Sequence, residues 1–161
     1  MNWDAVAAIA DLLGAAAVFV SLLYLAIQTR QNTQALRSAA FHQVRDSFSE
    51  VSLAMSQNPE LLAVVGRAIR DEDLSDSEQV QVNFIFTTMT RKGESAYFQA
   101  NEGHLQLESW LGIRATLVSL LSNPRGIAWL ESVGDRFTQN YLEDLTKATK
   151  EHAGFQAGGD A

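Results

Sequence analysis

The chain has 161 residues and no cysteine, so it is long enough for one domain and has neither disulfides nor cysteine-based catalytic or metal sites. Its formal net charge is −7, and no cluster of Lys or Arg appears, which argues against a nucleic-acid partner bound through phosphates. Only two prolines occur and β-branched runs are scarce, so the composition predicts an all-α fold.

The first segment, from Ala5 to Ile27, is apolar over 23 residues and carries Asp11 as its only charge. As a helix it would span roughly 34 Å, which exceeds a hydrocarbon core of about 30 Å. Its eleven Leu, Ile, Val and Phe residues outweigh the cost of inserting Asp11. We therefore predict a transmembrane anchor at residues 1–28. The alternatives are a buried core helix and a signal peptide. A signal peptide has a basic n-region, and Asn2, Trp3 and Asp4 before this run are not basic.

The orientation of this anchor follows from the distribution of cations. All 12 Lys and Arg residues come after the apolar run, beginning with Arg30 and Arg37. The positive-inside rule then places the N-terminus outside and the following domain in the cytoplasm, which makes the cytoplasmic (inner) membrane the predicted location. Trp3, Tyr24, Arg30 and Arg37 flank the run, and we predict that they anchor the helix at the membrane interfaces.

The two faces of the anchor helix differ in side-chain size and polarity. One face is apolar and suits lipid, with Ile9, Leu13 and Val20 among its residues. Small and polar residues on the other face allow close approach of a second helix in a membrane. This predicted helix-association face consists of Asp4, Ala7, Ala8, Asp11, Gly14, Ala15, Val18 and Ser21. The alternative is that Ala and Gly are simply frequent in membrane helices.

Asp11 lies about 9 Å inside the run if the run begins at Ala5. Ionisable residues at such depths usually face protein or water, and burial against a helical partner would favour the protonated, hydrogen-bond-donating form. Alternatively, a shift or tilt of the helix keeps the carboxylate at the outer interface without any partner.

Beyond the anchor, a long amphipathic helix is predicted to continue to Asn58. Its apolar residues recur at helical spacing and are Leu36, Ala40, Val44, Phe48, Val51 and Met55. Asn58 and Pro59 form a helix-start signal, so a second helix is expected to run to about Arg70, followed by an acidic loop. Ser75 and Glu78 have capping-box spacing and open a third helix that ends near Gly103, with Gly93 as a weak point.

A fourth helix is predicted over 107–121 with the widest apolar face, which suggests the centre of a small bundle. Asn123 and Pro124 repeat the helix-start signal for a short helix through Trp129, and a last helix is expected over 137–150. We therefore predict a cytoplasmic helical domain at residues 29–150 and a loose tail at residues 151–161.

Catalytic and metal-binding patterns are missing from the sequence. His104 and Glu108 share a helical spacing, but no further ligands match them, and no phosphate loop, nucleophile elbow or zinc-protease motif occurs. Carboxylate pairs such as Asp71 with Asp73 and Glu143 with Asp144 are interpreted as solvated charge. The aromatic residues are interpreted as core: Phe84, Phe86, Tyr97, Phe98, Trp110, Trp129, Phe137 and Tyr141. We predict no enzyme activity and no cofactor, and we identify no small-molecule substrate.

Three stretches carry a resemblance to a known family: the opening tract through Phe41, the SQNP segment at 56–59, and WL followed by DRFTQNYLEDL at 135–145. The most specific part is the tract from Leu22 to Leu36. Together they resemble a family of uncharacterised bacterial proteins with one N-terminal transmembrane helix and a small cytoplasmic helical domain. The resemblance covers most of the chain up to about Lys150. It implies a topology and no activity.

Three functions remain open on the sequence alone. The leading hypothesis is a non-enzymatic membrane-anchored module that binds lipid and either self-associates as a homo-oligomer or docks on a larger membrane protein complex. The second is a subunit of a small oligomeric pore, in which Asp4 and Asp11 form acidic rings that select cations. The third is a membrane-bound enzyme with a new kind of site in the bundle.

Overall fold

A computed structural model describes residues 3–159, except for the side chains of Ala5, Val6, Ala10 and residues 156–159. Over these residues the chain forms helices and no strand, which confirms the all-α prediction. The helices are α1 (Trp3–Ser56), α2 (Pro59–Ile69), α3 (Asp76–Asn101), α4 (Leu107–Leu121), α5 (Pro124–Ser132) and α6 (Gln139–Gly159).

The chain divides into two compact units, Met1–Ala39 and Ala40–Ala161, and α1 contributes to both. In the N-terminal unit every described side chain is exposed. Residues 29–39 group with this unit, and none of their side chains is buried.

The second unit is a helical bundle with one apolar core. Within it α3 packs on α4 and α4 packs on α6, while the shorter α2 contacts α3 and α5 contacts α4 and α6. Its largest fully buried side chains are Tyr141, Phe86, Leu117, Leu121, Leu130, Leu145, Val82 and Val133. Each such apolar side chain contributes about 1.5–3 kcal/mol on burial. The predicted central position of α4 agrees with its packing against both α3 and α6.

Aromatic rings form a connected chain through the core of this unit. Trp110 and Tyr97 meet at 5.5 Å between centroids, and Tyr97 is also 5.5 Å from Tyr141. Such tilted contacts add roughly 0.5–1.5 kcal/mol per pair beyond burial. The core prediction is wrong for Phe84 and Phe98, which are 69% and 40% exposed. The buried face of α3 carries Val82, Phe86, Met89, Gly93 and Ala96, and Phe84 and Phe98 lie off that face.

Gly93 is a close-packing position and not a weak point of α3. A Cβ built there would lie 2.3 Å from Leu117 Cδ1 and 2.5 Å from Tyr141 Oη. The Tyr141 hydroxyl donates a hydrogen bond of 2.8 Å to the Thr90 carbonyl, one turn away on the same helix. Glycine at 93 therefore lets α3 approach α4 and α6 closely, which outweighs its low helix propensity of about 1 kcal/mol.

Helix starts occur where the local signals predict them. Asn58 Oδ1 accepts from Leu61 N at 3.1 Å and Asn123 Oδ1 accepts from Gly126 N at 2.9 Å. Ser75 and Glu78 form the reciprocal capping box at the start of α3. These bonds satisfy backbone N–H groups that have no partner within the helix.

Three local expectations differ from the structure. Helix α6 continues past Lys150 to Gly159, and His152 and Ala153 on it are half-buried, so 151–159 is helical and not a loose tail. Asp144 is not simply solvated, because it accepts two hydrogen bonds from Arg114, at 2.7 and 2.9 Å. Asp71 lies 3.7 Å from Arg125 Nε. Tertiary packing brings these cations to carboxylates that are far apart from them in sequence.

Candidate functional site

The apolar stretch of α1 is the first candidate site. Each large apolar side chain described between Ile9 and Ile27 is 50–71% exposed. Among residues 3–159, α1 is the one helix long and apolar enough to cross a membrane, and its apolar window is not buried at all.

The predicted helix-association face lies along one side of this segment. All eight of its residues are exposed: Asp4, Ala7, Ala8, Asp11, Gly14, Ala15, Val18 and Ser21. A Cβ added at Gly14 would meet nothing within 4 Å, so this side of the helix is open to an approaching neighbour. The apolar face is equally exposed, so exposure alone does not distinguish the two.

Local hydrogen bonds satisfy the hydroxyl groups of Ser21 and Thr29 on this helix. Ser21 Oγ donates to the Ala17 carbonyl at 2.8 Å, and Thr29 Oγ1 donates to the Leu25 carbonyl at 2.8 Å. Such i to i−4 bonds remove the need for an external acceptor. The carboxyl of Asp11 is then the group of the apolar run that is most costly to transfer into lipid.

The four predicted interface anchors, Trp3, Tyr24, Arg30 and Arg37, are all exposed. Trp3 and Tyr24 are 21 positions apart, which corresponds to roughly 32 Å along a helix. A hydrocarbon core is about 30 Å thick, so their rings are spaced to lie at its two boundaries.

The second candidate site is an apolar groove within the bundle unit, which the sequence analysis did not identify. It has a volume of about 970 Å³ and lies between α1, α3 and α4. Its apolar lining comes mainly from Val44 and Phe48 of α1, Met89 of α3 and Ile113 of α4. The only signal in the sequence is the helical spacing of small residues, Ser49-Ser52-Ser56 on α1 and Ser109-Gly112-Thr116 on α4.

Titratable side chains elsewhere in the bundle hold the helices together. Burial raises the pKa of the Tyr141 hydroxyl, which therefore stays protonated and donates to Thr90. Glu94 accepts from the backbone N–H of Thr138 at 2.6 Å and from Arg91 Nη1 at 3.0 Å, which ties the start of α6 to α3. His104 lies 3.3 Å from Glu102.

Within the described residues, no group of three or more potential ligands is placed to hold a metal ion.

The two candidate sites thus differ in chemistry. The N-terminal unit offers exposed apolar side chains along its helix, whereas the groove is a concave apolar surface between three helices of the bundle unit. Comparison with known proteins gives no match to this chain, neither a family model nor a curated protein nor a solved structure.

Proposed function

We propose that the protein is a non-enzymatic, membrane-anchored helical module that self-associates or docks on a larger membrane complex through its N-terminal helix. The observation that carries the proposal is the unburied apolar surface of α1 from Ile9 to Ile27. Soluble monomers rarely expose contiguous apolar patches beyond a few hundred Å². A bilayer removes that surface from water.

The flanking charges support an orientation with the bundle in the cytoplasm. Arg30 and Arg37 follow the apolar run, whereas Asp4 precedes it and no Lys or Arg does. Cations next to a membrane helix are retained on the cytoplasmic side. In a bacterium this is the inner membrane with the N-terminus outside. A reporter fused after Ala161 that is active only in the periplasm would reverse this orientation.

Membrane anchoring is tested by deleting residues 1–28. The remaining helices carry frequent charges, so the truncated protein is expected in the soluble fraction after carbonate extraction, while the full chain stays in the membrane pellet. Tryptophan fluorescence of Trp110 and Trp129, both buried, reports whether the bundle remains folded. A folded truncation that resists carbonate extraction would contradict the single-anchor proposal.

Association through the face of Asp11 is tested by cysteine crosslinking. Because the sequence has no native cysteine, only the introduced cysteines can form crosslinks. Val18→Cys on the association face is expected to crosslink between copies more strongly than Val20→Cys on the opposite face. Adding Asp11→Leu should improve membrane insertion and weaken the Val18→Cys crosslink, because it removes both a desolvation cost and a polar contact. Val20→Leu is the matched control and should change neither. Unaltered crosslinking in Asp11→Leu would leave Asp11 without an associating role.

A pore is the second candidate function, favoured by the position of two carboxylates. Asp4 and Asp11 are exposed and seven positions apart, which places them on one side of the helix. In a ring of copies they would form two acidic constrictions that attract cations. Cation conductance in planar bilayers that falls in Asp11→Asn would favour the pore, and absence of conductance would favour the module.

A further inference from the structure

The groove between α1, α3 and α4 has the size of a small-molecule site. Its volume of about 970 Å³ falls within the range of roughly 300–1,000 Å³ that is typical of ligand pockets. All of its lining residues belong to the unit Ala40–Ala161. The apolar lining includes Phe48, Met89 and Ile113, whose side chains would cover a ligand from three helices.

Four of the five hydroxyl groups that line the groove, all except that of Ser109, already have acceptors within their own helix. Ser49, Ser52 and Ser56 each donate to a carbonyl of their own helix, at 3.0, 3.2 and 2.8 Å. Thr116 donates to the Gly112 carbonyl at 3.2 Å. Because these protons are already used, the walls favour a hydrocarbon chain over a sugar or a nucleotide.

Arg45 is the only cation that lines the groove. At about 3.6 residues per turn, it lies on one line along α1 with Phe41, Ser52 and Ser56. Among the described residues, no carboxylate pairs with its guanidinium. Of the two acidic residues at the groove, Glu50 lies 3.8 Å from Lys92 Nζ, and Asp46 lies about 100° around the helix from Arg45. An apolar groove with one arginine near its Phe41 end, unpaired with any carboxylate, complements an amphiphile with one anionic head.

We propose that this groove binds a long-chain fatty acid, with the acyl chain along Phe48, Met89 and Ile113 and the carboxylate paired to Arg45. A guanidinium binds a carboxylate through two parallel hydrogen bonds, which fixes the head of the ligand. Burying the chain removes apolar surface of both partners from water. This site lies in the bundle unit, so it goes beyond membrane anchoring and does not depend on it.

Gly112 offers a way to close the groove without disturbing the core. A Cβ at this position would meet nothing within 4 Å, so Gly112→Leu projects its side chain into the open channel. The matched control is Gly154→Leu, because Gly154 is also an exposed helical glycine with open space around it and does not line the groove.

The test uses the full chain in phosphatidylcholine nanodiscs and a photoreactive diazirine analogue of palmitic acid, with crosslinked peptides mapped by mass spectrometry. Labelling is expected on α3 near Met89 and on α4 between Ser109 and Thr116. Gly112→Leu should lower this labelling at least fivefold, and Gly154→Leu should leave it unchanged. Labelling confined to residues 5–27, or equal labelling in Gly112→Leu, would overturn the proposal.

The carboxylate is tested separately with the methyl ester of the same probe. The acid should label the groove several-fold more strongly than the ester, and Arg45→Gln should abolish that difference. Arg136→Gln, which removes an exposed cation away from the groove, should preserve it. An ester that labels the native chain as strongly as the acid would overturn the pairing with Arg45. Competition by phosphatidylglycerol but not by palmitic acid would overturn the assignment of the ligand.

If the protein proves not to be membrane-anchored, the full chain is soluble and the same labelling is carried out in buffer. Failure of the proposed function and failure of the groove proposal are therefore separate results.

Discussion

The two units differ in how far they bury apolar side chains, as one phenylalanine from each unit shows. Phe19, in the N-terminal unit, is 68% exposed, and Phe86, in the bundle unit, is fully buried beside Trp129 at 5.5 Å between ring centroids. Neighbouring side chains thus remove Phe86 from water, whereas Phe19 remains exposed. An apolar residue stabilises a protein only through the medium or partner that covers it, so Phe86 stabilises the bundle unit while Phe19 is left for a partner or a bilayer to cover under the proposed function.

Charge separates the units as well. In residues 1–39, Asp4 and Asp11 balance Arg30 and Arg37, so the whole net charge of −7 belongs to residues 40–161. An anionic bundle is repelled by anionic lipids. Attachment to a membrane would therefore depend on the apolar helix and not on the surface of the bundle.

The largest contrast is expected for phenylalanine truncation. Phe86→Ala should lower the free energy of unfolding of the bundle by about 3–5 kcal/mol, because it removes a buried ring and leaves a cavity. Phe19→Ala should change it by less than about 0.5 kcal/mol. Urea unfolding followed by tryptophan fluorescence in one detergent measures both variants. An equal loss in the two variants would mean that Phe19 packs against the bundle.

Glycine substitution gives the next largest contrast. Gly93→Val should cost about 1–3 kcal/mol, because the new side chain overlaps Leu117 and the Tyr141 hydroxyl. Gly14→Val should leave the bundle's unfolding midpoint unchanged, since open space surrounds Gly14. The midpoints of thermal unfolding check both. A stabilised Gly93→Val variant would show that α3, α4 and α6 have room to separate.

Two helix caps within the bundle unit differ in burial, and their removal should differ accordingly. Asn123 is buried and also donates to the Leu120 carbonyl at 3.0 Å, whereas Asn58 is exposed. Asn123→Ala should therefore cost about 1–2 kcal/mol and Asn58→Ala about 0.5–1 kcal/mol. Chemical denaturation measures both, and a larger loss for Asn58→Ala would contradict the ranking.

The smallest effect concerns pH and the start of α3. The Ser75 backbone N–H and the Arg67 guanidinium hold the pKa of the Glu78 carboxyl below its usual value of about 4.3. Stability from these bonds is present above that usual value and is lost as pH falls through the lowered pKa of the folded state. Glu78→Gln should therefore lose less stability than the native chain between about pH 5 and pH 3.

The matched control for this comparison is Glu108→Gln, at an exposed carboxylate with no hydrogen-bond partner among the described residues. Its thermal midpoint should follow the native pH dependence. A Glu78→Gln variant that also follows the native curve would show that the capping box does not titrate with folding.

Much of the fold follows from short-range signals in the sequence. Asn58, Ser75 and Asn123 cap helices where predicted, because a cap depends on a side chain and a backbone N–H two or three residues away. The end of α6 was harder to predict, since no local signal in the sequence marks the half-burial of His152 and Ala153.

The sequence by itself determined the all-α class, the helix starts and the apolar N-terminal run, since each of these is encoded within a few helical turns. The tertiary structure decided that Gly93 is a contact point, that Phe84 is exposed and Asp144 ion-paired, and that α1, α3 and α4 leave a groove around Arg45 and Gly112. These features depend on which faces of separate helices meet. Periodicity identifies the apolar face of each helix, whereas the partner of that face is set only when the bundle packs.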